Sequence, residues 1–360
     1  MSRDDTADFR ALFLTDVPLM DTRAPVEFAR GAFPTAVNLP LMTDEERHQV
    51  GICYKQNGQA AAIELGHQLV SGDTREQRIE GWCEFARRHP GGYLYCFRGG
   101  LRSSTARQWM RDAGVDYPLV LGGYKAMRRF LIEQLEASLD AASFVLVAGK
   151  TGCGKTRVIE AVERAVDLEG LAQHRGSSFG RLLDPQPTQI DFENALSIQL
   201  MRGLVAGKTL VLEDEGKLIG RLSLPHALRE RMRESPLLVV EEPVASRVEV
   251  IFEDYILDLG KCYRQRHGDQ GAAQHEQHLR DGLARIRKRL GGVLYAEIDA
   301  AMQQAFAAGD DALHRRWIEL LLVKYYDPMY EYQIGQREGV IAAAGSRDEI
   351  IARARELSLQ

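Results

Sequence analysis

Apolar and polar positions change period repeatedly over the first 140 residues. The run ALFLTDVPLMD at 11–21 reads as strand material leading into a turn, YLYCF at 93–97 as a short buried strand, and PLVLGGY at 118–124 as another. Between them, AAIELGHQLVSG and REQRIEGWCEFARRHP space their apolar residues three and four apart, the period of a helix with one buried face. Strands alternating with helices favour a layered α/β architecture with a mostly parallel sheet. YKAMRRFLIEQLEASLD at 124–140 is a further helix that bridges into the next domain.

A second α/β pattern begins abruptly at Ser143. SFVLVAG is an apolar strand, a glycine-rich loop comes next, and RVIEAVERAV is the helix expected behind it. KTLVLEDE and PLLVVEEPV are two further buried strands, each ending in acidic residues, and after Ile251 the pattern is helical to the end. The expected organisation is a domain at 1–137 and a second at 138–360, the latter a P-loop α/β fold with a helical C-terminal extension. No internal repeat or low-complexity segment is present.

Composition narrows the class. With 45% hydrophobic and 27% charged residues in 360, the chain can bury two ordinary cores. The N-terminus lacks the apolar core of a signal peptide, and no run approaches the ~18 apolar residues of a membrane span, so a cytoplasmic protein is expected. Five cysteines, odd in number and without paired or Cys/His spacing, argue for reduced thiols rather than disulfides or structural zinc. The net charge of −5 argues against indiscriminate nucleic-acid binding, so any RNA contact must come from a local basic face.

Two loops carry the chemistry. Cys96-Phe97-Arg98-Gly99-Gly100-Leu101-Arg102-Ser103 places a thiol between a strand and a helix that Ser103, Ser104 and Thr105 can cap. Gly99 and Gly100 let backbone N–H groups turn inward, and Arg98 and Arg102 add positive charge; together they favour a thiolate beneath a bound anion. Gly149-Lys150-Thr151-Gly152-Cys153-Gly154-Lys155-Thr156 is a complete P-loop in the order strand, loop, helix. Its N–H groups from Gly152 to Lys155 surround phosphates, Lys155 neutralises the outer one, and Thr156 is a candidate Mg²⁺ ligand with Asp214, flanked by Glu213 and Glu215, as a Walker B-like partner. A P-loop carries no base specificity, so ATP, GTP and a prenyl diphosphate all remain open on this motif alone.

Other polar stretches are less specific. His174, Arg175 and Ser177, in HRGSSFG, suit contacts to a diphosphate or an RNA backbone, as ordinary turn chemistry would also explain. Arg247 is a candidate clamp on a leaving phosphate. The basic run Arg285, Arg287, Lys288 and Arg289 is a candidate RNA surface, though cations are favoured at any helix C-terminus. Lys324-Tyr325-Tyr326 and Tyr330-Glu331-Tyr332 interleave aromatics with charge, suiting base stacking or simple helix packing.

The segments Asp21-Thr22-Arg23, Glu27-Phe28, Gly31 to Pro34, Ala36 and Asn38-Leu39-Pro40 resemble the opening of a rhodanese domain, with Cys96 as its chalcogen-carrying cysteine. The Cys-x5-Arg loop is one residue longer than in common single-domain sulfurtransferases and as long as in cysteine phosphatases. That suits a bulkier, phosphate-bearing donor; phosphatase chemistry is the alternative, against which Tyr95 stands where many such phosphatases carry histidine. The order of a rhodanese-like domain, a connecting helix, a P-loop domain containing HRGSSFG and EDEGKLIG, and a helical tail resembles the bacterial tRNA 2-selenouridine synthase family. The resemblance implies tRNA carrying 2-thiouridine at the wobble position as substrate, geranyl diphosphate in the P-loop, and selenophosphate as selenium donor. It further implies a selanylcysteine at Cys96 and a selenophosphate-producing enzyme as a partner. The competing class is an NTP-dependent kinase or ATPase with a regulatory rhodanese-like or phosphatase-like domain.

Overall fold

The computed structural model describes residues 3–335 and 340–359. They divide into two compact units: residues 1–137 with 188–201, and residues 138–187 with 202–360. The segment Thr188–Met201, expected in the second domain, belongs to the first unit. Its polar side chains explain the attachment. Asp191 accepts the Ala32 N–H at 2.6 Å, Asn194 donates to the Ala32 carbonyl at 2.7 Å, and Arg128 donates to Asn194 Oδ1 at 2.7 Å and pairs with Glu193.

The first unit is built on three parallel strands, β1 (Leu19–Asp21), β2 (Ala36–Asn38) and β3 (Tyr93–Tyr95), in the order β2-β1-β3. Period-two alternation divides its core. Met20 and Leu94 face Trp82, Trp109 and Met110 on one side, whereas Leu19 and Tyr95 face Phe33, Met127 and Leu131 on the other. The expected strand at 11–21 is half helix, because Asp8 caps Phe9–Leu14 through the Ala11 N–H and Leu12 and Phe13 bury one helical face. Only Leu19–Asp21 is extended. PLVLGGY likewise makes isolated bridges at Leu119 and Val120 and then turns at Gly122 and Gly123.

The second unit contains β4 (Ser143–Gly149), β5 (Ala165–Val166), β6 (Thr209–Glu213), a hairpin of β7 (Leu218–Ile219) and β8 (Leu222–Ser223), and then β9 (Leu237–Val240) and β10 (Ile341–Gly345). Five of these form a parallel sheet ordered β10-β9-β4-β6-β5, from which the hairpin stands apart. Continuous apolar runs suit strands covered on both faces. The helix behind the P-loop is short, Lys155–Glu160, and the chain returns as β5 within the stretch expected to be helical. Nor is the C-terminal part wholly helical: IAAAG, which lacks β-branched residues beyond Ile341, adds edge strand β10. Pairing with β9 overrides its weak propensity. The intervening helices, Val244–Ile251 through Asp327–Gly335, enclose a separate core around Phe252, Leu283, Met302 and Trp317.

Candidate functional site

Cys96 follows β3 and is buried, with Sγ 3.2 Å from Ser103 Oγ and 3.9 Å from the Gly100 carbonyl oxygen. The helix Leu101–Asp112 starts immediately after the loop, so its unsatisfied N–H end lies beside the thiol. Ser103 Oγ donates to the Gly100 carbonyl at 3.0 Å, which leaves its lone pairs toward the sulfur. The loop is clamped from a segment that carries no motif of its own. Tyr124 N–H donates to the Cys96 carbonyl and Lys125 N–H to the Phe97 carbonyl, both at 2.9 Å. A Cβ at Gly123, whose φ is +59°, would stand 2.2 Å from the Cys96 carbonyl oxygen, so only glycine permits this approach.

The two loop arginines have different surroundings. Arg102 pairs with Glu27 at 2.5 Å, and Arg47 approaches the same carboxylate at 3.2 Å. Burial by itself would raise the Glu27 carboxyl, but hydrogen bonding and charge from Arg102, with help from the Ala24 N–H and Arg47, hold it below the usual range. Arg102 is thereby spent on a carboxylate. Arg98 is exposed, its guanidinium 5.9 Å from the Phe97 ring centre, and makes no ion pair among the described residues. Behind the strand ends, Asp21 and Arg23 form a buried ion pair at 2.6 Å, and Thr22 Oγ1 donates to the Tyr95 carbonyl at 2.9 Å. The signal DTR therefore marks a brace for the cysteine strand.

In the second unit the P-loop leaves central strand β4 and enters the helix Lys155–Glu160. Gly154 has φ +83°, and a Cβ there would lie 2.6 Å from Arg347 Nε. Arg347 itself donates to the Cys153 carbonyl at 3.2 Å, while its N–H donates to Glu242 at 3.0 Å. The residue lies just past β10, and its place behind the loop had no sequence signal. Lys155 Nζ donates to the Gly149 carbonyl at 3.1 Å. Burial opposes its charge, but Cys153, Glu169, Glu215 and Glu213 together raise its pKa.

Asp214 was the Walker B-like candidate, with Glu213 and Glu215 beside it; the carboxylates that raise the Lys155 pKa are Glu169, Glu215 and Glu213, of which Glu169 had no sequence signal. β6 is buried on both faces from Leu210 onward, and Glu213, its last residue, is fully buried with them. It accepts the Glu169 N–H at 3.0 Å, while its Oε1 has no hydrogen-bond partner among the described residues. Burial first, then the neighbouring carboxylates, pushes the Glu169 carboxyl well above its ordinary range; burial and Asp167 do the same for Glu213. Among the described residues, no three His, Cys, Asp or Glu side chains group at metal-binding spacing.

The remaining candidates have defined positions. HRGSSFG wraps the acidic cluster, and a Cβ at Gly176 would meet Glu169 Oε1 at 2.1 Å. His174 is buried, with its pKa lowered by burial and by Arg181 and Arg285. Arg175 approaches Asp254 at 3.3 Å and stacks 5.3 Å from the Tyr255 ring centre, while Ser177 Oγ lies 3.1 Å from Tyr255 Oη. Arg247 is not a free clamp: it is 1% exposed, and its fork is spent on the Thr151 carbonyl at 2.9 Å and on Asp327 at 3.0 and 2.6 Å. Arg285 donates twice to the Ser178 carbonyl. Arg287, Lys288 and Arg289 are exposed in the last turn of the helix Gly271–Leu290, with Arg287 over the Tyr295 ring at 5.0 Å.

A parallel sheet with a phosphate loop at the end of its central strand defines a P-loop α/β protein, here joined in one chain to a unit bearing a cysteine loop. Residues 142–360 match the family model described as the tRNA 2-selenouridine synthase AAA domain. The chain is 55% identical to the tRNA 2-selenouridine synthase of Marinobacter nauticus over 98% of each chain. It is 56% identical to that of Hahella chejuensis, covering 95% of this chain and 92% of the relative. Identity to the Azotobacter vinelandii enzyme of the same name is 54% over 98% of each. The chain belongs to the tRNA 2-selenouridine synthase family, whose members are tRNA-modifying enzymes. Among the described residues, no helix is long and apolar enough to cross a membrane.

Proposed function

We propose that the protein converts wobble 2-thiouridine in tRNA to 2-selenouridine in two steps divided between the two loops. The observation that carries the reading is their coexistence in one chain: a thiol at a helix N-terminus beside Arg98, and a complete P-loop with Lys155. Exchange of sulfur for selenium needs a leaving group, because a thiocarbonyl sulfur departs poorly. In the first step the sulfur attacks C1 of geranyl diphosphate; the new C–S bond forms as the C–O bond breaks, and diphosphate leaves. Lys155 and the loop N–H groups stabilise the charge that gathers on the departing oxygens. Mg²⁺, when bound, would be held by Thr156 and the diphosphate oxygens and would add to that neutralisation.

In the second step selenium bonds to C2 of the base as the C2–S bond breaks, and the sulfur leaves with a proton as geranylthiol. Selenophosphate is the donor, with Arg98 holding its phosphate; its selenium makes the bond to C2, the Cys96 thiolate then takes the phosphoryl group as the P–Se bond breaks, and water frees it as phosphate, so no oxidant or reductant is needed. The exposed Arg287, Lys288 and Arg289 supply a basic surface suited to an RNA backbone. Mass spectrometry of nucleosides tests the scheme, using tRNA incubated with the protein and with geranyl diphosphate and selenophosphate, singly and together. Geranyl diphosphate alone should give the S-geranyl nucleoside, and both together 2-selenouridine. Selenation at full rate without geranyl diphosphate overturns the first step, and ATP turnover in its place supports a nucleotide-driven enzyme.

A further inference from the structure

Beside the P-loop, an apolar cleft opens among the C-terminal helices, and no step of the two-step scheme uses it. Its walls include Phe179, Ile251, Leu279, Trp317, Leu321 and Leu322, and Thr151 of the P-loop forms one side. The cavity between the walls is about 30 Å³ and opens to solvent, so a chain enters only by parting the wall side chains. Cleft and loop are contiguous at the backbone: a Cβ at Gly152 would stand 2.9 Å from Ile251 Cδ1. Arg247, which donates to the Thr151 carbonyl and pairs with Asp327, ties the loop to helices on both sides of the cleft.

The two tyrosine hydroxyls at the cleft are already engaged. Tyr255 Oη lies 3.1 Å from Ser177 Oγ and Tyr326 Oη 3.1 Å from Ser178 Oγ, so the two tyrosines present ring carbon to the space. A purine would bring ring nitrogens and an exocyclic group that need partners, and burying them unpaired is costly. A hydrocarbon chain needs none. Both wall helices also leave regular α geometry here, through π-helical turns at Phe252–Asp258 and Leu322–Tyr326. Such turns occur frequently at functional sites.

We infer that this cleft holds the isoprenoid chain of an allylic diphosphate whose phosphates occupy the P-loop. The assignment rests on the allylic-diphosphate reading of the P-loop and adds the residues that select the chain. Affinity should then rise with chain length from inorganic pyrophosphate through dimethylallyl diphosphate to geranyl diphosphate, because each buried methylene adds to binding.

Calorimetric titration of the full-length protein with these three compounds tests it, in the wild type and in Leu321→Phe, which adds bulk to a cleft wall. Leu321→Phe should lose at least ten-fold in geranyl diphosphate affinity while pyrophosphate affinity changes less than two-fold. Trp317 supplies a reading that needs no filled cleft. Its emission should change on adding geranyl diphosphate but not pyrophosphate, and the change should vanish in Trp317→Phe. A wild type that binds geranyl diphosphate no better than pyrophosphate would sink the allylic-diphosphate reading itself. If the wild type prefers geranyl diphosphate, but Leu321→Phe keeps that preference or Trp317 emission stays unchanged at saturation, the cleft assignment alone is wrong.

Discussion

The cysteine loop and the P-loop solve one geometric problem with different means. Each leaves a parallel strand, turns through a glycine of positive φ (Gly99 at +66°, Gly154 at +83°) and enters a helix N-terminus. In the first, the charge free of any ion pair among the described residues is Arg98, exposed at the rim, while Arg102 is held by Glu27 and the Cys96 thiol is buried. In the second, the cation is Lys155, half-buried against the loop and surrounded by carboxyls whose pKa values are raised. A rim charge suits a donor that docks and departs. An enclosed lysine facing protonatable carboxyls suits a charge that must be held while a bond breaks.

The sharpest way to separate the loops is to disable each chemically. Cys96→Ser should drop selenation below detection while S-geranyl tRNA accumulates, as read by nucleoside mass spectrometry; retained selenation removes Cys96 from the selenation step. Lys155→Ala should slow geranylation by about 10²–10³-fold, the typical loss when a group that stabilises transition-state charge is removed, yet leave selenation of pre-geranylated tRNA intact. Equal loss of both steps would mean that the loops do not divide the work.

A smaller effect tests the support behind the P-loop. Arg247→Met leaves the buried Asp327 with only Lys150 among the described residues, 4.0 Å away, and breaking such a buried pair costs up to about 3–5 kcal/mol, visible in thermal or urea unfolding. An unchanged midpoint would show that the pair is not an anchor.

The carboxyl cluster makes a pH prediction. Because the native pKa values of Glu169 and Glu213, about 9 and about 8, lie above the unfolded ones, these two groups contribute stability that is fully present below the ordinary carboxylate value of about 4.3 and is lost as pH rises through their folded values. Glu169→Gln should flatten that fall. A wild-type stability that increases from pH 5 to 8, with no difference in the variant, contradicts the arrangement.

The weakest expected effect lies at the surface. Replacing Arg287, Lys288 and Arg289 with Gln should lower tRNA affinity and reduce the salt-dependence slope by about 2, if all three meet phosphates at the single-strand value. No change in slope removes this helix end from the RNA interface.

Chemistry that depends on neighbours in sequence was legible in the residues themselves. Cys96, Gly99 and Arg98 lie within one turn, as do Gly149 to Thr156, and their strand-loop-helix context is local. The runs SFVLVAG, KTLVLEDE and PLLVVEEPV identify buried strands because both faces are covered, so period and composition agree. The brief strand at 341–345 was not legible: its alanines carry little preference, and pairing with β9 decides its state.

Sequence alone thus determined the two loop motifs and the α/β class, since both are encoded in contiguous residues. Tertiary structure decided which acids face Lys155, that Arg247 braces rather than clamps, and that 188–201 belongs to the first unit. It also placed Gly123 against Cys96 and Arg347 against Gly154. Those assignments depend on contacts across tens to hundreds of residues, where residue type states what a side chain can do and only packing states what it meets.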